Sequence, residues 1–181
     1  MSELRPLEDG LEPEFAESKG TVIVTSLASD SHTWNLVFLQ LLIEECGYQV
    51  VNLGPCVPDD LLAAECAAQE PDMVVISSVN GHGYQDGMRV IGKLRALSPL
   101  AATPIVIGGK LGTDDREGAA RTADLTAAGF DAVFEDGQDP VVAFRGFLAS
   151  LPPQSERELE AERALDSAGQ RALDDAGQVI R

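Results

Sequence analysis

The stretch Thr21-Val22-Ile23-Val24-Thr25-Ser26-Leu27-Ala28-Ser29-Asp30-Ser31-His32-Thr33 joins an apolar run to a polar loop. The apolar run predicts a first β-strand over 21–27, and an apolar helical pattern follows the loop. Asp30 and His32 therefore lie at the carboxyl end of this strand, where open α/β sheets bind ligands. A carboxylate there can hold one imidazole nitrogen and leave the other free for a metal. The alternative is that both residues only cap the helix.

Outward from this stretch, the sequence alternates strands with helices. The predicted strands are 21–27, 49–53, 73–78, 104–107 and 132–134, and the predicted helices are 33–46, 58–70, 85–97, 116–128 and 140–151. Five β/α units in succession predict an α/β fold with a parallel sheet and right-handed crossovers. We expect a flavodoxin-like (Rossmann-like) five-stranded sheet in the order 2-1-3-4-5, with helices on both faces.

Charge and hydropathy exclude several classes of function. The chain has 13 basic and 30 acidic residues, for a formal net charge of −17, whereas a nucleic-acid binder needs a basic face. No apolar run approaches the ~18 residues that cross a membrane. The N-terminus also lacks the apolar region of a signal peptide. We expect a cytoplasmic protein with neither a nucleic-acid nor a membrane partner.

Both ends of the chain differ from its middle. Residues 1–20 are rich in Glu and Pro and predict an acidic mobile arm. Residues 21–151 form the predicted domain. Residues 152–181 contain a near-repeat, Arg163–Gln170 and then Arg171–Gln178, with a glycine in each copy. Because glycine weakens helices, this acidic tail is predicted to be a frayed helix or disordered.

The predicted sheet order brings three polar loops to one edge, two of which contain glycine. They follow strands one, three and four and include 29–33, 77–83 and 108–112. The switch point of such a sheet lies between strands one and three. Neither the GxGxxG fingerprint of dinucleotide binding nor the P-loop pattern is present. The sequence therefore predicts a ligand at this edge, with small residues that let it approach the backbone.

The motifs in these loops resemble those of a known family. Asp30-Ser31-His32-Thr33-Trp34-Asn35, Ser77-Ser78-Val79 and Gly108-Gly109 resemble the DxHxxG…SxL…GG pattern of cobalamin-binding domains. From Thr21 to about Leu151, the chain is similar to the small subunit of glutamate mutase (methylaspartate mutase). The resemblance implies adenosylcobalamin as cofactor and a large catalytic barrel subunit as partner. It also implies a role in an isomerase that is inactive without that partner.

The resemblance assigns roles to individual residues. His32 would be the lower axial ligand of cobalt in place of the cofactor's own base, the base-off/His-on state, and Asp30 would hold its second nitrogen. Ser77, Val79, Gly108 and Gly109 would line a slot for the displaced nucleotide tail. No catalytic residue is expected in this chain. The residues expected at the cofactor are Ser29, Asp30, Ser31, His32, Thr33, Ser77, Ser78, Val79, Gly108, Gly109, Lys110, Leu111 and Gly112.

Two positions depart from the pattern. Asn35 replaces a glycine that lets the start of the helix approach the tail, and Val79 replaces a leucine. Asn35 brings a side chain to this place, so we expect either a reduced affinity or a start of helix one that forms only on binding, whereas the change to valine is mild. Trp34, the lone tryptophan, is expected in the core, with packing against the cofactor or at an interface as the alternatives.

Two other functions compete with the isomerase subunit. One is a corrinoid methyl-carrier, but such proteins place a helical module before the cobalamin domain, and residues 1–20 are too short and polar for one. The other is a non-catalytic flavodoxin-like binding domain such as a phospho-receiver. A receiver needs an aspartate after strand three, where this chain has Ser77-Ser78.

Overall fold

A computed structural model describes residues 18–114, 118–135 and 139–152. The predicted arm and tail lie almost entirely outside the described residues. The strands are β1 (Thr21–Thr25), β2 (Gln49–Gly54), β3 (Met73–Ser78), β4 (Ile105–Gly109) and β5 (Ala132–Glu135). The helices are α1 (Trp34–Glu45), α2 (Asp59–Gln69), α3 (Gly83–Arg95), α4 (Gly118–Ala128) and α5 (Pro140–Ser150). No helix in this part of the chain is long and apolar enough to cross a membrane.

The five strands form one parallel sheet in the order β2-β1-β3-β4-β5, as predicted. Residues of α1 and α5 share one apolar cluster with one face of the sheet, and residues of α2, α3 and α4 share a second cluster with the other face. The central strand β3 is buried along its whole length, as expected for a parallel strand covered on both faces.

Several element ends differ from the prediction by one or two residues, and two of them lie beside the predicted loops. Strand β1 ends at Thr25, and the next side chain turns into the loop, where the Ser26 hydroxyl donates to the backbone oxygen of Asp30 at 2.8 Å. Helix α3 begins at Gly83, two residues early. A Cβ at Gly83 would lie 2.9 Å from the Cβ of Ser78. This close approach lets the helix begin directly beside β3.

The strand register sets which loop residues become neighbours. Ser77 pairs with Gly108, and Ser78 pairs with Gly109. Because the sheet is parallel, these ends lie at the same edge as the loop after β1. The fold therefore brings the three predicted loops together.

Candidate cofactor site

Asp30 and His32 form a pair on the loop after β1. His32 Nδ1 lies 2.7 Å from Asp30 Oδ1, and the His32 backbone N–H donates to the same oxygen at 3.0 Å. The His32 side chain is 48% exposed, whereas Asp30 is fully buried. Among the described residues, His32 Nε2 has no hydrogen-bond partner, so this nitrogen is available to a metal. Helix α1 begins without a side-chain cap, so the capping alternative fails.

The Asp30 carboxylate is held from both sides. Oδ1 accepts from His32, and Oδ2 accepts from the Val79 backbone N–H at 2.6 Å and lies 3.1 Å from the Ser78 hydroxyl. Burial alone raises the pKa of Asp30, but the hydrogen bonds from Val79, His32 and Ser78 outweigh it and lower the pKa. Asp30 therefore stays ionised and fixes the imidazole against the end of β3.

A second network fixes the same loop from α3. The Ser29 hydroxyl donates to Asp86 at 2.5 Å, and Asn80 Nδ2 donates to the Ser29 backbone oxygen at 2.8 Å. Arg89 in turn bridges Asp86 and Asp59 at 2.6 Å each. The sequence placed Ser29 at the site but missed Asn80 and Asp86. Only their positions could have indicated a role: Asn80 lies two residues after β3, and Asp86 lies in the first turn of α3.

A cavity of about 440 Å³ lies beside this loop, between the sheet and helices α1 and α5. This volume is within the usual range for small-molecule sites. Its walls are mostly apolar and come from α1, β3, β4, β5 and α5: Trp34, Asn35, Phe38, Leu39, Leu42, Val75, Ile76, Ser77, Val79, Val106, Ile107, Gly108, Gly109, Lys110, Phe134, Pro140, Val141 and Phe144. Five of the predicted site residues thus line it: Ser77, Val79, Gly108, Gly109 and Lys110.

The two glycines of this cavity also allow neighbouring strands to approach. A Cβ at Gly108 would lie 2.9 Å from the Phe134 backbone oxygen, and one at Gly109 would lie 2.3 Å from that of Ser78. Gly109 has φ +101°, a conformation that favours glycine. A side chain at either position would displace the strands that form the wall.

Asn35 closes one side of the cavity. It is 4% exposed, and its Nδ2 donates to the Ser77 hydroxyl oxygen at 2.8 Å. Its Oδ1 is buried and has no partner among the described residues. A buried acceptor without a partner costs about 1–3 kcal/mol.

The remaining predicted residues do not line this cavity. Ser31 and Thr33 are exposed on the loop that carries His32. Leu111 and Gly112 line a second cavity of about 260 Å³, with Arg121 on its wall. The expectation that Trp34 fills the core is wrong: it is 64% exposed at the first turn of α1 and lines the larger cavity, so the alternative of a contact with the cofactor stays a prediction.

Comparisons with known proteins identify the family of the chain. The model of the B12 binding domain matches residues 20–145. Glutamate mutase sigma subunit 2 of Haloarcula marismortui is 30% identical over 145 residues, which span 79% of this chain and 95% of that protein.

The chain belongs to the B12-binding domain family, among the glutamate mutase sigma subunits. The glutamate mutase sigma subunit of Halobacterium salinarum is 31% identical over 114 residues, 63% of this chain and 75% of that protein. The predicted family is therefore confirmed.

Solved structures show the same fold at lower identity. A cobalamin-binding protein of Desulfitobacterium hafniense superposes with a TM-score of 0.57 at 16% identity, covering 73% of this chain and 59% of that one. A monomethylamine corrinoid protein of Methanosarcina barkeri gives 0.56 at 18% identity, over 77% of this chain and 63% of that one. This B12-binding domain thus spans less than two thirds of either chain. A receiver domain from Pseudomonas aeruginosa also superposes, with a TM-score of 0.51 at 13% identity over 71% of this chain and 93% of that one.

Proposed function

We propose that the chain is the adenosylcobalamin-carrying small subunit of a glutamate mutase-like carbon-skeleton isomerase. His32 is the lower ligand of cobalt in the base-off/His-on state, and the nucleotide tail occupies the cavity between α1 and α5. A separate large barrel subunit binds the amino-acid substrate. The observation that carries this proposal is the Asp30–His32 pair, two residues before Trp34 at the cavity wall.

The donor set of the site fits this cofactor. A cobalt ion needs one neutral imidazole nitrogen, and Asp30 leaves Nε2 of His32 available. A displaced aromatic tail needs a long apolar slot with few polar groups, and the cavity supplies apolar walls with Ser77 and Asn35. The unpaired oxygen of Asn35 further supports a bound group that donates a hydrogen bond at this wall.

The chain's own residues bind and orient. Asp30 holds the His32 ring against β3 and stabilises the tautomer with its proton on Nδ1. The aromatic pair Phe134 and Phe144, with ring centroids 5.4 Å apart, keeps water from the side of the cavity that faces α5. When bound, adenosylcobalamin supplies an organic radical by homolysis of its cobalt–carbon bond. The protein therefore contributes the affinity for the cofactor and the orientation of the cofactor.

Substitution of each histidine in turn tests the proposal, because the whole chain contains only two. We expect wild-type protein and His82→Ala to bind adenosylcobalamin and to give the same shifted visible spectrum. His32→Ala should bind the cofactor at least tenfold more weakly, since substitution of a residue that only supports a metal ligand already lowers metal affinity ten- to a hundredfold. In ¹⁵N-histidine protein, electron paramagnetic resonance of the reduced cobalt(II) form should show ¹⁵N splitting that disappears in His32→Ala.

Two results would contradict the assignment. Wild-type protein that binds no cobalamin would remove the proposed function altogether. A ¹⁵N splitting that survives in His32→Ala and disappears in His82→Ala would assign the cobalt ligand to His82, on the loop after β3.

A further inference from the structure

Asn35 combines burial, an anchor and an unused hydrogen-bonding atom. It lies in the first turn of α1, is 4% exposed and lines the cavity of 440 Å³. Its Nδ2 donates to Ser77 at 2.8 Å, so the amide is held against β3. Its Oδ1 is out of reach of water and is one of two buried side-chain atoms of the described residues with no hydrogen-bond partner.

A structural role alone explains this amide poorly. Buried polar atoms are almost always paired, and the other walls of the cavity are mainly apolar. Because Ser77 already holds Nδ2, Oδ1 is the amide atom that still lacks a partner. The unpaired oxygen therefore favours a ligand that brings an O–H or N–H donor.

We propose that Asn35 binds the inserted nucleotide tail, its carbonyl accepting a hydrogen bond from a donor on that tail. The inference rests on the proposed function, which places the tail in this cavity. It reverses the expectation that Asn35 only intrudes where related proteins have glycine. The donor is a ribose hydroxyl or an amino group on the tail base. Dimethylbenzimidazole has no N–H donor once it is joined to ribose, whereas adenine has one, and asparagine amides pair with adenine edges.

Three cobalt-containing probes distinguish contacts to the nucleotide tail from contacts to the corrin ring. Cobalamin carries the complete tail, cobinamide lacks the nucleotide, and a cobamide with adenine as its base carries an additional donor. Each is titrated into wild-type protein, Asn35→Leu and Asn35→Gly, followed by the visible spectrum. Gln40→Leu is the matched control, because Gln40 lies on α1 outside the cavity and contacts Glu44 and Asn52.

We expect both Asn35 variants to bind the nucleotide-bearing probe that carries the donor roughly three- to tenfold more weakly, the usual effect of one hydrogen bond. Their affinity for cobinamide and the spectrum of the saturated complex should not change, and Gln40→Leu should match wild type with every probe. A ribose donor predicts the same loss for cobalamin and the adenine cobamide. If the donor is on the base, wild-type protein should bind the adenine cobamide more tightly than cobalamin, and the Asn35 variants should lose affinity for the adenine cobamide alone.

Equal or tighter binding of both cobalamin and the adenine cobamide by Asn35→Gly would overturn the inference and restore the steric interpretation. So would an equal loss for cobinamide, since that probe has no nucleotide to contact. In both cases, the proposed function is retained if wild-type protein binds cobalamin and if this binding depends on His32. Absence of cobalamin binding by the wild-type chain would overturn both.

Discussion

Asp30 determines the direction in which His32 points. Both of its oxygens act as acceptors, one toward His32 and the other toward Val79 and Ser78. Hydrogen bonds to an ionised group contribute about 1.5–3 kcal/mol each, which outweighs the rotational freedom that the exposed imidazole loses. A partly exposed histidine is thereby held in one orientation by a buried neighbour.

Asp30→Asn tests this arrangement at nearly constant size. Asparagine has only one acceptor oxygen, so its amide nitrogen must face donors from either His32 or Val79. We expect cobalamin affinity to fall about ten- to a hundredfold, as for other changes behind a metal-bound histidine. Calorimetric titration would measure the change. The matched control is Asp72→Asn, because Asp72 accepts from the Thr21 backbone N–H at 2.7 Å at the opposite end of the sheet. An Asp30→Asn protein with wild-type affinity would show that the carboxylate does not support the ligand.

At the scale of elements, one arginine ties two helices to the loop of His32. Arg89 on α3 bridges Asp59 at the start of α2 and Asp86 on α3, and Asp86 accepts from Ser29. Burial raises the pKa of Asp86, but the Ser29 hydroxyl and the Arg89 guanidinium outweigh it and lower the pKa. The ionised carboxylate therefore stabilises the folded state.

The contribution of Asp86 should depend on pH in one direction. Because its pKa is lower in the folded state, the stabilisation is complete above the ordinary carboxyl pKa of about 3.9 and is lost as pH falls through the lowered value. We expect Asp86→Asn to reduce the free energy of unfolding by about 1–2 kcal/mol at pH 7, a difference that shrinks below pH 4. Urea unfolding at pH 7, 5 and 3 would measure it, with exposed Asp124→Asn as the control. A difference independent of pH would indicate a packing effect.

The order of elements could be predicted from the sequence because it depends on local patterns. Apolar runs such as Met73–Ser78 mark buried strands, and Pro140 after Asp139 marks the start of α5. What could not be predicted depends on contacts between distant residues. The bond from Asn35 to Ser77 joins positions 42 apart, and that from Ser78 to Asp30 joins positions 48 apart. Trp34 was misplaced for a related reason, since helical periodicity does not show that a cavity opens beside its first turn.

For the whole molecule, the distribution of positive charge bears on where a substrate binds. The described arginines, 89, 95, 121 and 145, all pair with carboxylates of this chain. Arg121 and Glu135, 2.5 Å apart, are also largely buried. An amino acid with two carboxylates needs free cationic groups, of which arginine is the most suitable. The described arginines thus offer no free guanidinium, which agrees with the proposed division of labour in which this chain holds the cofactor and a partner holds the substrate.

That division of labour predicts the behaviour of the isolated chain. With adenosylcobalamin and glutamate, the chain alone should form no methylaspartate. Binding energy from a substrate site is needed to lower the barrier of the rearrangement. Addition of a mutase large subunit should produce turnover that saturates as this chain is added, and His32→Ala should lower it at least tenfold. Chromatographic separation of the two amino acids measures the product, with the large subunit alone as the background. Turnover by the isolated chain would contradict the division, since the substrate carboxylates would then have to be held by residues of this domain.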